Sequence, residues 1–435
     1  MTIIPRSDHP ISRKHIDPDA LKVLYRLRQH NHVAYLVGGS VRDMLLDRTP
    51  KDFDIGTSAH PYEVKRLFRN CWIIGRRFRL AHVKFGTKVI EVATFRKQIP
   101  AGTEEEPSGQ VPPAAPAPND AFKEVTEDPE DIDRLIHHDN TFGTPEEDAF
   151  RRDFTLNALF YDIDTFSIID YVGGLEDIRA RVIRCIGNPD ERFQEDPVRM
   201  FRAVALAARL DFTIDEPVRQ SIARQHGELA RSAPPRLMEE IYKVMRAGAA
   251  EKTFRGLVDT GLLAAIAPEV PGRITPAFWH SLAAVDAHRR SAGPPAIREA
   301  LPNALLLGSL LLPLGLLDQH HGHTKELGAR FGMLPLARRD VEHLRQILMI
   351  QRPLRDLDAP PRHKRSVMHR SSFPGAVAWL ELHGNAPHIV TMWKALLAEH
   401  ALDAGSVTQD IAPPRRRRRR RRRGGGNSAP PAAAP

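Results

Sequence analysis

The hydrophobic period changes once along the chain, at Gly187-Asn188-Pro189, and this limits the fold more than any other feature. Before that point apolar residues come in short runs, such as Val33-Ala34-Tyr35-Leu36-Val37, punctuated by glycine and separated by short helical stretches. Such runs are the mark of buried or half-buried strands. Beyond it, from Asp196 to about Trp393, almost every segment repeats with helical spacing. A single sheet sandwich and a pure helical bundle are both excluded. The expected fold class is an α/β head followed by an all-helical neck and body. A length of 435 residues agrees with about three domains.

The segments divide accordingly. Residues 1–20 are polar and proline-rich and are expected to be loose. A head is expected over 21–172, a helical neck over 173–250, a helical body over 251–402 and a disordered Arg-rich tail over 403–435. Within the head, Leu21, Leu24, Tyr25 and Leu27 give a helix its face, and strands are expected at 33–37, 53–55, 72–74, 82–85 and 88–95. Residues 100–118, rich in Pro, Ala, Gly and Glu, cannot bury a face and read as a disordered insertion. Helix resumes over 144–150, and a hairpin turns at Asp164-Thr165.

Charge and cysteine content narrow the classes of function. The net charge is +9, from 63 basic and 54 acidic residues, and Arg415 to Arg423 are nine consecutive arginines. Without them the balance is 54 against 54, so the basicity belongs to the tail. Cys71 and Cys185 exclude a disulfide framework and fit a reducing cytoplasm. The amino terminus carries no apolar core followed by a cleavage site, so no secretory signal is expected. The most apolar stretch, 301–317, is too short for a bilayer and contains Pro302 and Pro313, so it is expected to be a buried helix rather than a membrane segment. Paired histidines at 137, 138, 320 and 321, with His323, match no trusted metal spacing.

Two constellations carry chemistry. In the first, a strand runs into Gly38-Gly39, Ser40 caps a helix, and Arg42 and Asp43 follow. Glycines let the backbone approach an anion, which suits a triphosphate with Arg42 adding charge; a structural tight turn would look the same. In the second, Asp52-Phe53-Asp54 places two carboxylates on one face of a strand, where they repel unless a hard cation such as Mg²⁺ or Mn²⁺ sits between them. A chance D-x-D in a polar loop is the plainer reading. Spacing joins the two: one short helix separates them, so the strand ends lie side by side. A third carboxylate is available in Glu91 on a neighbouring strand or in Asp153 of Arg151-Arg152-Asp153. Asp196 before Pro197 reads as a helix cap, with Arg199 and Arg202 on its flank.

The order Gly-Gly-x-Val-Arg-Asp, Asp-x-Asp, Arg-Arg-Asp-Phe-Thr-x-Asn-Ala and Glu-Asp-x-x-Arg-x-x-Arg resembles the class II nucleotidyltransferases, whose polymerase-beta-like head is shared by bacterial poly(A) polymerases and CCA-adding enzymes. The resemblance spans roughly residues 35–248 and includes Pro234-Pro235-Arg236-Leu237-Met238-Glu239-Glu240. It implies that Asp52 and Asp54 hold the metals, with Glu91 as a further metal carboxylate and Asp153 as the catalytic carboxylate of the poly(A) polymerase pattern. Gly38, Gly39 and Arg42 would bind the triphosphate of ATP, with Asp43 bracing the turn. Arg152 would contact the nucleotide, Asp196 and Arg199 would read its base, and Arg202 would line its site. The family often has an arginine where this chain has Ala205.

Residues 73–83, with Arg76, Arg77 and Arg79, resemble the poly(A) polymerase signature, as do residues 90–96 and 139–149. The resemblance therefore implies a template-independent adenylyltransferase acting on RNA 3′ ends with ATP and Mg²⁺ or Mn²⁺, and a CCA-adding tRNA nucleotidyltransferase is the alternative. An RNA-decay machinery is compatible with that activity, although no segment specifies it. Nine flexible arginines suit sequence-independent RNA affinity rather than a membrane.

Overall fold

In the computed structural model the described residues are 1–75, 79–97, 142–290, 301–317 and 329–407, with side chains to 399. The expectations for the 100–118 insertion, for Arg76 and Arg77, for residues 139–141, for the histidines at 137, 138, 320, 321 and 323, and for residues 408–435 of the tail lie outside them.

An eight-stranded mixed sheet organises the head. Its strands are β1 (Thr2–Ile4), β2 (Ala34–Val37), β3 (Asp54–Thr57), β4 (Cys71–Ile74), β5 (Leu80–Phe85), β6 (Lys88–Thr94), β7 (Leu159–Tyr161) and β8 (Ile168–Asp170), in the order β1-β8-β7-β2-β3-β6-β5-β4. Only β3 and β6 run parallel; the other neighbours are antiparallel. One face carries α1 (Pro18–Gln29) and α3 (Pro61–Leu67). Asp17 caps α1 by accepting from the Asp19 N–H, and Pro18 opens it. Its buried stripe is Ala20, Val23, Leu24 and Leu27, so Leu21 and Tyr25 flank the core rather than centre on it. Helix α2 (Gly39–Leu45) follows β2, and α4 (Pro145–Phe150) is opened by a capping box between Thr144 and Glu147.

The amino-terminal residues are not loose. Thr2, Ile3 and Ile4 pair with Asp170, Ile169 and Ile168 of β8, and Ile4, Ile11 and Ile16 are buried. Polar composition hid three isoleucines spaced too widely to form a run, yet each reaches the core. The hairpin expected at Asp164-Thr165 is present as β7 and β8.

After the sheet the chain is helical: α5 (Gly174–Ala180), α6 (Pro189–Glu195), α7 (Val198–Leu210), α8 (Glu216–Gln225), α9 (Pro234–Ala247), α10 (Ala250–Asp259), α11 (Leu262–Ile266), α12 (Pro276–Arg290) and α13 (Asn303–Leu311). A two-residue parallel pair, β9 (Val182–Ile183) with β10 (Thr213–Ile214), ties the start of this region together. Helix α10 packs on α7 closely enough that a Cβ at Gly256 would stand 2.7 Å from Val204 Cγ1. Every residue from Ala304 to Leu311 is buried, as the apolar stretch required. Residues 1–345 form one compact unit.

Residues 346–435 form a second, described through α15 (Gln351–Arg355), α16 (Pro361–Met368), α17 (Phe373–His383) and α18 (Pro387–Val407); α14 (Arg338–Met349) crosses the division. Its core holds Leu354, Val367, Phe373, Leu380 and Trp393, with the Trp393 indole donating to the Leu354 carbonyl at 2.9 Å. Residues 403–407, expected in the tail, continue α18. Among the described residues no helix is long and apolar enough to cross a membrane.

Candidate active site

The head sheet and helices α7, α9 and α10 enclose a cleft of about 670 Å³. Strand β2 delivers the chain to Gly38 at φ 73°, ψ −132°, a conformation in which a side chain would be strained. A Cβ there would also stand 3.1 Å from Arg152 Nη1. Gly38, not Ser40, is the N-cap of α2; Ser40 lies inside the helix and donates from its hydroxyl to the Val37 carbonyl. The tight turn puts the helix start two residues earlier than the hydroxyl suggested.

Arg42 is almost fully buried, and burial pulls its pKa down. Asp43 accepts from its Nε at 2.9 Å and its Nη2 at 2.6 Å, and Asn157 Oδ1 accepts from its Nη1. The other Asp43 oxygen accepts from Arg209 Nη2 at 2.6 Å. Asp43 thus joins α2 to α7, which is the bracing expected of it in a more specific form.

Strand β3 begins at Asp54, so Asp52 lies in the preceding loop, highly exposed and 3.6 Å from Lys51 Nζ. The parallel register pairs Ile55 with Val92, which sets Asp54 beside Glu91 on the same face. Asp54 is exposed to solvent where it opens onto the cleft, yet protein crowds its carboxyl. Burial, then Glu91, then Asp52 push its carboxyl up to about 6 against the pull of Arg152. Glu91 also lies 3.7 Å from His82 Nε2. Among the described residues no three acidic, histidine or cysteine side chains converge as a ready metal cage. The crowding of hard oxygens still fits a cation that keeps waters and substrate oxygens in its shell, as Mg²⁺ does.

Asp153 is buried elsewhere on the wall. Its Oδ2 lies 2.8 Å from Arg202 Nη2, and its Oδ1 accepts from the Phe154 N–H at 2.8 Å and from Asn157 Nδ2 at 3.3 Å. Of the two candidates for a third carboxylate, Glu91 stands beside Asp54 and Asp153 faces an arginine. Arg152 donates to Asp148 Oδ2 from Nε and Nη2, at 3.2 and 2.9 Å, and to the Asn157 carbonyl at 3.1 Å. Burial alone would raise Asp148, but the Arg152 and Arg151 guanidinia outweigh it and hold the carboxyl below the usual range.

Asp196 and Arg199 are each held by a different partner. Arg236 grips Asp196 through two hydrogen bonds of 2.9 and 2.6 Å, and Asp196 also accepts from the Val198 N–H at 3.2 Å, as an N-cap would. Arg199 Nη1 donates to Glu195 Oε2 at 2.9 Å and to the Arg192 carbonyl at 3.0 Å. Three cleft features escaped the sequence: Arg209, Lys243 and the Arg236 clamp. Arg209 lies four residues after Ala205, on the same helical face, so α7 still presents an arginine to the cleft although this chain lacks the one the family pattern has at 205. In all, Arg42, Arg151, Arg152, Arg199, Arg202, Arg209 and Lys243 line the cleft against Asp54, Asp153, Asp196 and Glu240. A surplus of seven cations over four carboxylates suits a polyanion.

The family described as poly A polymerase head domain matches residues 34–184, and the one described as the probable RNA and SrmB-binding site of polymerase A matches residues 211–272. Poly(A) polymerase I of Salmonella typhi is 46% identical over 270 residues, covering 62% of this chain and 54% of that protein. A CCA-adding enzyme of Lactobacillus johnsonii is 35% identical over 253 residues, 58% of this chain and 55% of that protein. The chain therefore spans about half the length of the relatives it matches. The crystal structure of the Bacillus stearothermophilus CCA-adding enzyme in complex with CTP shares the fold, with a TM-score of 0.53 at 24% identity over 88% of this chain and 83% of that one.

Proposed function

We propose, from the match of residues 34–184 to the family described as poly A polymerase head domain, that the protein is a template-independent adenylyltransferase extending RNA 3′ ends with AMP from ATP. The observation that carries the choice of adenylyl transfer over CCA addition is the greater likeness to a poly(A) polymerase I, 46% identical over 270 residues against 35% over 253 for a CCA-adding enzyme. A carboxylate accepts from an adenine amino group and a guanidinium donates to a ring nitrogen. Asp196, held by Arg236, and Arg199, held by Glu195, would supply those two groups.

Asp52, Asp54 and Glu91 would hold Mg²⁺ or Mn²⁺. When bound, such ions activate an attacking hydroxyl and neutralise charge on the leaving pyrophosphate. The remaining roles fall to the chain itself. Gly38 and Gly39 leave space for the triphosphate against α2, and Arg42, Arg152 and Arg209 surround it with charge. Arg202, oriented by Asp153, completes the wall. Asp153 in this reading positions an arginine, and Glu91 stands with Asp54. Substrates are ATP and an RNA 3′ end, and two free buried cysteines agree with work in a reducing cytoplasm.

The deciding assay supplies the purified protein with a generic RNA primer and each nucleoside triphosphate in turn. Repeated ATP incorporation with little CTP use is expected. Efficient CTP use on a tRNA lacking its CCA end, with arrest after one A, would transfer the protein to the tRNA-processing branch.

A further inference from the structure

The carboxylates occupy one end of a row that crosses the open face of the head sheet. Register pairs Trp72 with His82 and His82 with Glu91, and Glu91 stands beside Asp54. These residues therefore share a face. Their neighbours Cys71, Val83, Ile90, Val92 and Ile55 point the other way and are buried. At the far end of the row, on the edge strand β4, Trp72 is 53% exposed and Ile74 51%, while Val89 on β6 is 44% exposed. A half-bare tryptophan two residues from a half-bare isoleucine on the same face of an edge strand is an unusual surface for water alone. Lys84 lies on the same face, two residues from His82, and makes no ion pair among the described residues.

We propose that this face is the cradle of the RNA substrate: a base upstream of the 3′ end stacks on the Trp72 indole, and Lys84 meets the adjoining phosphate. The inference rests on the adenylyltransferase reading above and adds where the RNA lies. Aromatic stacking accepts any base, which a general RNA tailing enzyme requires. Three strand spacings of about 4.8 Å set Trp72 roughly 14 Å from Asp54. That is about four nucleotides at a stacked rise of ~3.4 Å, fewer if the strand is extended. A terminal hydroxyl at Asp54 and a base on Trp72 can belong to one short strand. Continuity with the carboxylate row, and Lys84 on the same face of the adjoining strand with no ion pair among the described residues, favour RNA over a protein strand added to the edge.

The test is binding of a short oligo(A) RNA to the full chain without ATP, followed by tryptophan fluorescence, beside primer-extension kinetics. RNA is expected to quench the wild type. Trp72→Ala should lose that quenching and weaken RNA affinity and primer KM by about five- to 150-fold, the worth of one base–aromatic stack of ~1–3 kcal/mol. The KM for ATP and kcat at saturating primer should hold. Trp72→Phe should restore most of the affinity, and Lys84→Ala should reduce the salt dependence of binding. Unchanged affinity in a folded Trp72→Ala variant would overturn the proposal. So would equal losses for ATP and primer, or a concentration-dependent self-association that the variant abolishes. A wild type that shows Trp72-dependent RNA binding but transfers no nucleotide would defeat the functional reading and leave the cradle standing. Transfer indifferent to Trp72 would do the reverse.

Discussion

Asp54 concentrates the electrostatic conflict of the head, and its value of about 6 makes that conflict measurable. The folded protein holds the Asp54 proton more tightly than the unfolded chain, whose value is near 3.8. The stability gained from that proton is complete below about 3.8 and lost as pH rises through about 6. At pH above 6 the ionised carboxylate is a liability in metal-free protein. Asp54→Asn should therefore raise the melting temperature in chelator at pH 7.5, with the gain shrinking as pH falls from 6 toward 4; a gain independent of pH would refute the linkage. The same variant should lose nucleotide transfer by roughly 10²–10³-fold or more. Arg236→Ala should free Asp196, lower kcat/KM for ATP by about tenfold, the worth of one charge-assisted pair, and raise CTP use relative to ATP. Arg236→Lys, which cannot grip two oxygens at once, should recover only part. Unchanged selectivity in both variants would mean the clamp does not set the base. Asp54 was legible in the sequence as half of a D-x-D one short helix beyond the glycine turn, although the strand begins at Asp54 and leaves Asp52 in the loop before it. The Arg236 clamp was not, because it joins Asp196 to a residue 40 positions away, with no period linking them.

The elements explain why these side chains converge. Strand β3 can pass between β2 and β6 with Asp54 at its mouth because Gly56 has no side chain; a Cβ there would stand 2.6 Å from Phe95 Cε1 and 3.0 Å from Val37 Cγ1. Gly56→Ala should cost about 1–3 kcal/mol through forced repacking. It should lower the urea midpoint without changing the slope and, by moving β3, reduce transfer more than ATP binding. An unaltered midpoint would show that Phe95 swings clear. Helix α7 is the second organising element: its start is set by Asp196 and its far turn by the Arg209–Asp43 pair, so one helix meets both ends of the cleft. Strand alternation and helix caps were readable because each is a local rule. Strand β1 was missed because its partner β8 lies more than 160 residues on, and three residues carry no usable periodicity.

At the scale of the molecule, the nine arginines at 415–423 answer to charge rather than position. Deleting residues 413–435 should weaken RNA binding, flatten its dependence on salt by about 0.7 per lost phosphate contact, and leave turnover at saturating RNA nearly unchanged. A collapsed saturating rate would show that the tail helps to build the active site. An unchanged salt slope would show that it does not touch RNA. By itself the sequence determined the change from α/β head to helical body, the buried helix at 303–311, the glycine turn, and the residue types that metal and phosphate chemistry require. All of these follow from local spacing and burial preference, which a linear string records. Only the tertiary structure decided that Glu91 rather than Asp153 stands beside Asp54, that Arg209 fills the face left bare by Ala205, and that Trp72 shares the carboxylates' side of the sheet. Those depend on strand order and register, which are set by packing among residues far apart in the chain.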